Sequence, residues 1–171
     1  MMLRNKKGDV TDNLIFLIVV FILAIGLFIL AFIIPQISSG LNDAGLNSTT
    51  EGSNAIIGLG NFGTITMQRG FFLIFAGLVM GSLISSFFIR THPIFMLLYI
   101  FFMGLTVFIG TYLGNAYEAL TAISIFSDTL ASQGLINIVM TNIVKITIGV
   151  GALSLIIIFA KFTSGRGAQR I

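Results

Sequence analysis

The sequence predicts an all-α integral membrane protein with four transmembrane helices. Four long apolar runs divide the chain, only 9% of its 171 residues are charged against 56% apolar, and most of the basic residues fall on one side once the runs are read as spans. Soluble domains carry roughly 25% charged residues, so no large water-soluble domain is expected. A helix that crosses about 30 Å of hydrocarbon needs about 20 apolar residues, and runs 14–34, 70–89 and 94–114 meet that length. The last run does so only if it starts near residue 136, and three spans remain if it does not cross.

Residues 1–13 form a basic head with Arg4, Lys6 and Lys7. Asp12 and Asn13 are read as a cap that accepts free N–H groups at the start of the first helix. The apolar run that follows is longer than the roughly 7–15 residues of a secretory signal core. A prepilin-like reading of Lys6-Lys7-Gly8 is disfavoured by the polar residues 9–13 that precede the run. Pro35 is taken to stop the first helix, which leaves 35–69 as a polar outer loop. Its mildly apolar second half lies in the interface or packs over the bundle. Gly58-Leu59-Gly60-Asn61-Phe62-Gly63 satisfies the dinucleotide pattern but lacks the strand and amphipathic helix that give it meaning. Asn47-Ser48-Thr49 is a glycosylation acceptor by pattern alone.

Spans 70–89 and 94–114 make an antiparallel hairpin, because only the tight basic turn 90–93 separates them and Pro93 suits a first helical turn. His92 is the single histidine and there is no cysteine, so no zinc set and no cysteine nucleophile can be assembled. His92 is read as a turn or headgroup contact, with proton sensing as the alternative. Segment 115–135 mixes apolar and polar residues as a membrane-surface helix, with Tyr112 and Tyr117 at interface depth.

In span 136–160, Lys145 falls about a third of the way in. It snorkels to the interface, pairs with Glu118 or Asp128, or marks a polar pathway. Gly77 and Gly81, Gly110 and Gly114, and Gly149 and Gly151 are candidate packing positions, since close backbone approach favours helix association in lipid.

With both termini on one side, that side holds Arg4, Lys6, Lys7, Arg90, Lys161, Arg166 and Arg170, while the other keeps Arg69 and Lys145. Basic loops cross poorly during insertion, so the termini are expected to be cytoplasmic at synthesis. The basic segments 1–13 and 161–171, with Arg90 and His92, form the face for lipid headgroups or partner proteins. Their charge needs no nucleic acid to explain it.

No carboxylate lies within a span as bounded here, no proline breaks one, and no inverted repeat is apparent, so coupled transport is not indicated. No paired acids, Ser–His–acid set or phosphate loop in context appears. The expectation is a non-enzyme without cofactor or metal.

In the order of its parts the chain resembles small multi-span membrane proteins of icosahedral bacterial or archaeal viruses that carry a lipid membrane beneath a double-jelly-roll coat. The parts are the head Lys6-Lys7-Gly8-Asp9-Val10-Thr11-Asp12, the His92-Pro93-Ile94-Phe95 hairpin, the Asn115-Ala116-Tyr117-Glu118 exit and the basic tail. The resemblance implies a virion structural protein in many copies that shapes the vesicle or links it to the capsid. A holin-like permeabilising protein is the rival, its pore face drawn from Ser82, Ser85, Ser86, Thr106 and Thr147. A small accessory subunit of a cellular membrane complex is the third reading.

Cysteines introduced singly at Gly8, Ser48, Ser127 and Gly165 test the span count. An impermeant thiol reagent is expected to label positions 48 and 127 from one side and 8 and 165 from the other. Labelling of 165 together with 48 leaves three spans.

Overall fold

A computed structural model describes residues 12–89 and 93–167 of the chain, and among them there is no strand. The helices are α1 (Asp12–Asp43), α2 (Thr50–Asn61), α3 (Met67–Phe88), α4 (Pro93–Thr121), α5 (Ser127–Ser132), α6 (Gly134–Thr141) and α7 (Ile143–Gly167). Four segments are long and apolar enough to cross a membrane: Asp12–Asp43, Thr50–Phe88, Ile94–Thr121 and Ile143–Lys161. The protein is a multi-pass, all-α membrane protein.

Span order around the bundle is α1, α3, α7, α4. α3 and α4 run antiparallel, as their short connection requires, but they stand on a diagonal with α1 and α7 wedged between them. At Gly151 the α4–α7 seam leaves no room for a side chain. A Cβ on Gly110 or Gly114 would only touch Leu17 or Ile143, at 3.6 and 3.5 Å, whereas one on Gly151 would collide with the end of the Met103 side chain. Gly77, Gly81 and Gly149 face open space within 4 Å and take no part in packing inside this chain.

Lys161 sets the inner end of the bundle. Its Nζ donates to the carbonyls of Phe87 (2.6 Å) and Ile89 (3.1 Å), carbonyls left over at the end of α3, where the helix dipole favours a cation. At about 1.5 Å per residue, Lys145 stands ~24 Å above Lys161, and Arg69 stands ~27–30 Å above those carbonyls. Both cations therefore lie toward the far end of the spans from the Lys161 clamp, at heights near the ~30 Å of a hydrocarbon core.

The fourth span is shorter than residues 136–160. Asn142 adopts φ −110°, ψ 14° and separates α6 from α7, so Lys145 sits in the first turn of α7. It is exposed, and its Nζ donates to Asn142 Oδ1 at 3.1 Å. Neither Glu118 nor Asp128 pairs with it, and it faces away from the bundle interior, which rules out an internal pathway at this residue.

Residues 35–69 are helical, not a loop. α1 runs through Pro35 to Asp43, because Ala31 and Ile34 pack with Met67 on one side of the proline's missing hydrogen bond and outweigh its cost of about 3 kcal/mol. Gly45, at φ 78°, ends the helix in the left-handed conformation that glycine tolerates. Thr49 Oγ1 then accepts from the Gly52 N–H at 3.1 Å to start α2. Asn47 is exposed in the intervening 3-10 turn Leu46–Ser48. The π-helical turn Phe62–Thr66 joins α2 to α3 as one rod of 39 residues, and the glycine-rich 58–63 pattern lies inside it. With α1 ~48 Å long and the rod ~58 Å, both reach well past the bilayer core. Segment 115–135 is likewise divided: α4 continues to Thr121, and α5 and α6 fold back onto α1 and α3.

Gly63 marks a close approach between α1 and the π-helical turn, where a Cβ would lie 2.8 Å from Ile34 Cγ2, a stiff β-branched side chain. Gly63→Ala is expected to lower helical stability in detergent, measured by circular dichroism melting, by about 1–3 kcal/mol, with recovery in the Ile34→Ala background. Gly58→Ala, facing open space, is the neutral control.

Candidate functional site

Two polar assemblies stand out in an otherwise apolar molecule. The first is a knot to which all four spans contribute. Asn13 is 6% exposed. Its Nδ2 donates to the Tyr99 hydroxyl, and its Oδ1 accepts from Ser82 Oγ. The Tyr99 hydroxyl donates in turn to the carbonyl of Gly151 at 3.2 Å. Alongside, Asp12 Oδ2 accepts from Ser85 Oγ. Asn13 is thus committed to tertiary bonds and is not a simple helix cap. An amide inside lipid must find partners within the protein, and α1 presents it where Ser82 of α3 and Tyr99 of α4 offer them.

The second assembly latches the outer tier. Gln133 is fully buried, and its Nε2 donates to the Gly63 carbonyl at 2.8 Å. Gln68 works at both sides of the α5–α6 junction. Its Oε1 accepts the Leu135 N–H at 3.1 Å, while its Nε2 donates to the carbonyls of Thr64 and Ser132. One side chain thereby serves groups that the end of α5 and the start of α6 leave unpaired. The rings of Phe28, Tyr117 and Phe126 close the space below, with Phe28 edge-on to Tyr117 at 5.9 Å. Tyr117 is a core residue, not an interface ring; only Tyr112 of the pair is exposed.

Between α1, the π-helical turn and α5 lies a half-open cavity of about 500 Å³. Ala31, Ile34, Gly63 and Thr129 form its buried floor, and Gln36, Ser39, Asn42, Thr64 and Asp128 lie around its mouth. A smaller recess of about 200 Å³ opens beside Asp12, Gly77 and Gly81. Among the described residues no three His, Cys, Asp or Glu side chains gather as a metal-holding group.

No known protein family, curated protein or solved structure matches the chain.

Of the residues singled out in the sequence, Gly110, Gly114 and Gly151 come together at the α1–α4–α7 contacts, whereas Gly77, Gly81 and Gly149 look outward. Lys161 clamps α3 and Lys145 flanks Asn142. Arg4, Lys6, Lys7, Arg90, His92 and Arg170 lie outside the described residues, as does the side chain of Arg166 in α7. Tyr99, Gln68 and Gln133 escape the sequence reading, and Asn13 enters it only as a cap. The available signal is their chemistry, since most buried amides and phenols find a hydrogen-bond partner somewhere in the fold.

Thr147 Oγ1 and the Tyr117 hydroxyl are buried without hydrogen-bond partners, unlike Asn13. Thr147→Val and Tyr117→Phe are expected to leave thermal stability unchanged or raise it, because each removes an unpaired polar atom. Asn13→Leu is expected to lower it by about 1–2 kcal/mol, the range of interhelical hydrogen bonds in lipid. Equal losses in all three, measured by melting in one detergent, would contradict this ordering.

Proposed function

We propose that the chain is a structural, non-catalytic membrane protein, and that the assembly it serves is a virion with an internal lipid membrane, where it shapes the vesicle or links it to the capsid shell. One observation carries the structural reading over the permeabilising one. The small polar side chains from which a pore face would be drawn, Ser82, Ser86, Thr106 and Thr147, are 6%, 3%, 1% and 2% exposed. Ser85, the remaining one, is half-buried and bonded to Asp12. They line the inside of a single four-helix bundle, so the surface offered to other copies is apolar and suited to lipid or to dry helix contacts.

The virion reading rests on the resemblance in the order of parts, and the outer tier supports a bracing role. α1 and the α2–α3 rod extend beyond the bilayer core as a latched pair, a rigid element that a pore-forming peptide does not need. The basic segments 1–13 and 161–171 are assigned to the face that meets headgroups and coat protein, with the termini cytoplasmic at synthesis.

Mass spectrometry of density-purified particles is expected to recover the chain in fixed stoichiometry with coat protein; its absence from particles removes the virion reading. Purified chain in liposomes is expected to release no entrapped dye at high protein-to-lipid ratio. Rapid leakage there favours the holin instead.

A further inference from the structure

We propose that the outer-tier cavity binds the headgroup of a lipid carrying a primary ammonium group, with phosphatidylethanolamine as the natural form. Its depth supports this. Gly63 in the floor precedes the Lys161-clamped carbonyls of Phe87 and Ile89 by 24 to 26 residues of one rod, which places it ~36–39 Å above them. With those inner helix ends at the opposite hydrocarbon boundary, that height falls beyond a core of about 30 Å and inside the headgroup layer.

The lining chemistry selects the ligand. Asp128 is the only charged residue around the cavity, it is exposed, and no described cation pairs with it. Neither Lys nor Arg lines the space, which disfavours a net anionic headgroup. Ser39, Asn42 and Thr64 supply further oxygens at the mouth. Pro35, also in the wall, has no N–H to give the Ala31 carbonyl beneath it. Oxygen acceptors around one carboxylate suit a group with several N–H donors, so a primary ammonium is preferred over a quaternary one, which has none. The Ser39 hydroxyl and the Gln36 and Asn42 amides supply donors for the phosphate, whereas the Thr64 hydroxyl already donates to the Gly60 carbonyl. Phe32 and Ile125 form the apolar side of the opening, where an acyl chain leaves toward the bilayer. The volume of about 500 Å³ is that of a small-molecule site.

The site does not depend on which assembly the chain serves. The test reconstitutes the full chain in nanodiscs of equimolar phosphatidylcholine, phosphatidylethanolamine and phosphatidylglycerol, followed by native mass spectrometry of the lipid that stays bound. Phosphatidylethanolamine is expected to exceed each of the others by about threefold, within reach of one partly exposed charge pair. Asp128→Asn and the cavity-filling Gly60→Leu should each bring retention to parity, while Asp43→Asn, an acid outside the cavity, keeps the preference. Soluble O-phosphoethanolamine separates the sources of the shared chemistry. Displacement of the lipid by it assigns recognition to the headgroup alone, and failure to displace assigns it to headgroup and chain together. Equal retention of the three lipids, preference for phosphatidylglycerol, or an undiminished preference in both cavity variants overturns the proposal.

Discussion

The Asn13 side chain is the constraint around which the bundle is arranged. Lipid tails are as apolar as leucine, so helices in a bilayer gain little from mutual burial and are held by packing and by polar groups that must be satisfied internally. Asn13 links α1 to α3 through Ser82 and to α4 through Tyr99, and the tyrosine carries the chain of bonds to the Gly151 backbone on α7. Gly151 has no side chain to obstruct that approach, and Met103 fills the space its Cβ would need. The connection fixes register as well as proximity. Sliding any one span by a turn would strand an amide or a phenol in hydrocarbon.

Outside the membrane core the controlling constraint changes from burial of amides to satisfaction of helix ends. Two interruptions of regular helix, the proline in α1 and the π-helical turn before α3, face the same cavity, and the second is held by side-chain hydrogen bonds. Gln133 takes a carbonyl of the π-helical turn, and Gln68 joins the turn to the break between α5 and α6. The outer tier is consequently held by hydrogen bonds at a few points, while the bundle below is held along its length.

The spans were legible in the sequence because an apolar run of sufficient length has one stable solution in lipid. Their adjacency was not. A short connection fixes direction, and α3 and α4 are indeed antiparallel, but the diagonal arrangement draws on Gly151, which the sequence marks no differently from the outward-facing Gly149, and on the reach of Lys161, which has no local signature. Segment 35–69 misled because Ser, Asn, Gly and Thr favour turns in isolation, and Pro35 commonly ends a helix. There the buried contacts of Ile34, Ile56 and Met67 prevail over propensity. Asn13 occupies a position typical of a cap, and only the approach of Tyr99, 86 residues away, reveals its other use. Lys145 was placed too deep because nothing in the sequence marks Asn142 as the break that ends the span.

The diagonal placement of α3 and α4 has a consequence for the order of assembly. Synthesis delivers α7 after the other three spans, among which α1 neighbours both α3 and α4 and an empty slot lies opposite it. Until that slot is filled, the α3 carbonyl end lacks its cation and Tyr99 has no backbone acceptor on the far side. α7 therefore acts as a keystone: its arrival closes the three spans already joined at Asn13 into a ring, so the bundle is finished only once synthesis has passed Lys161.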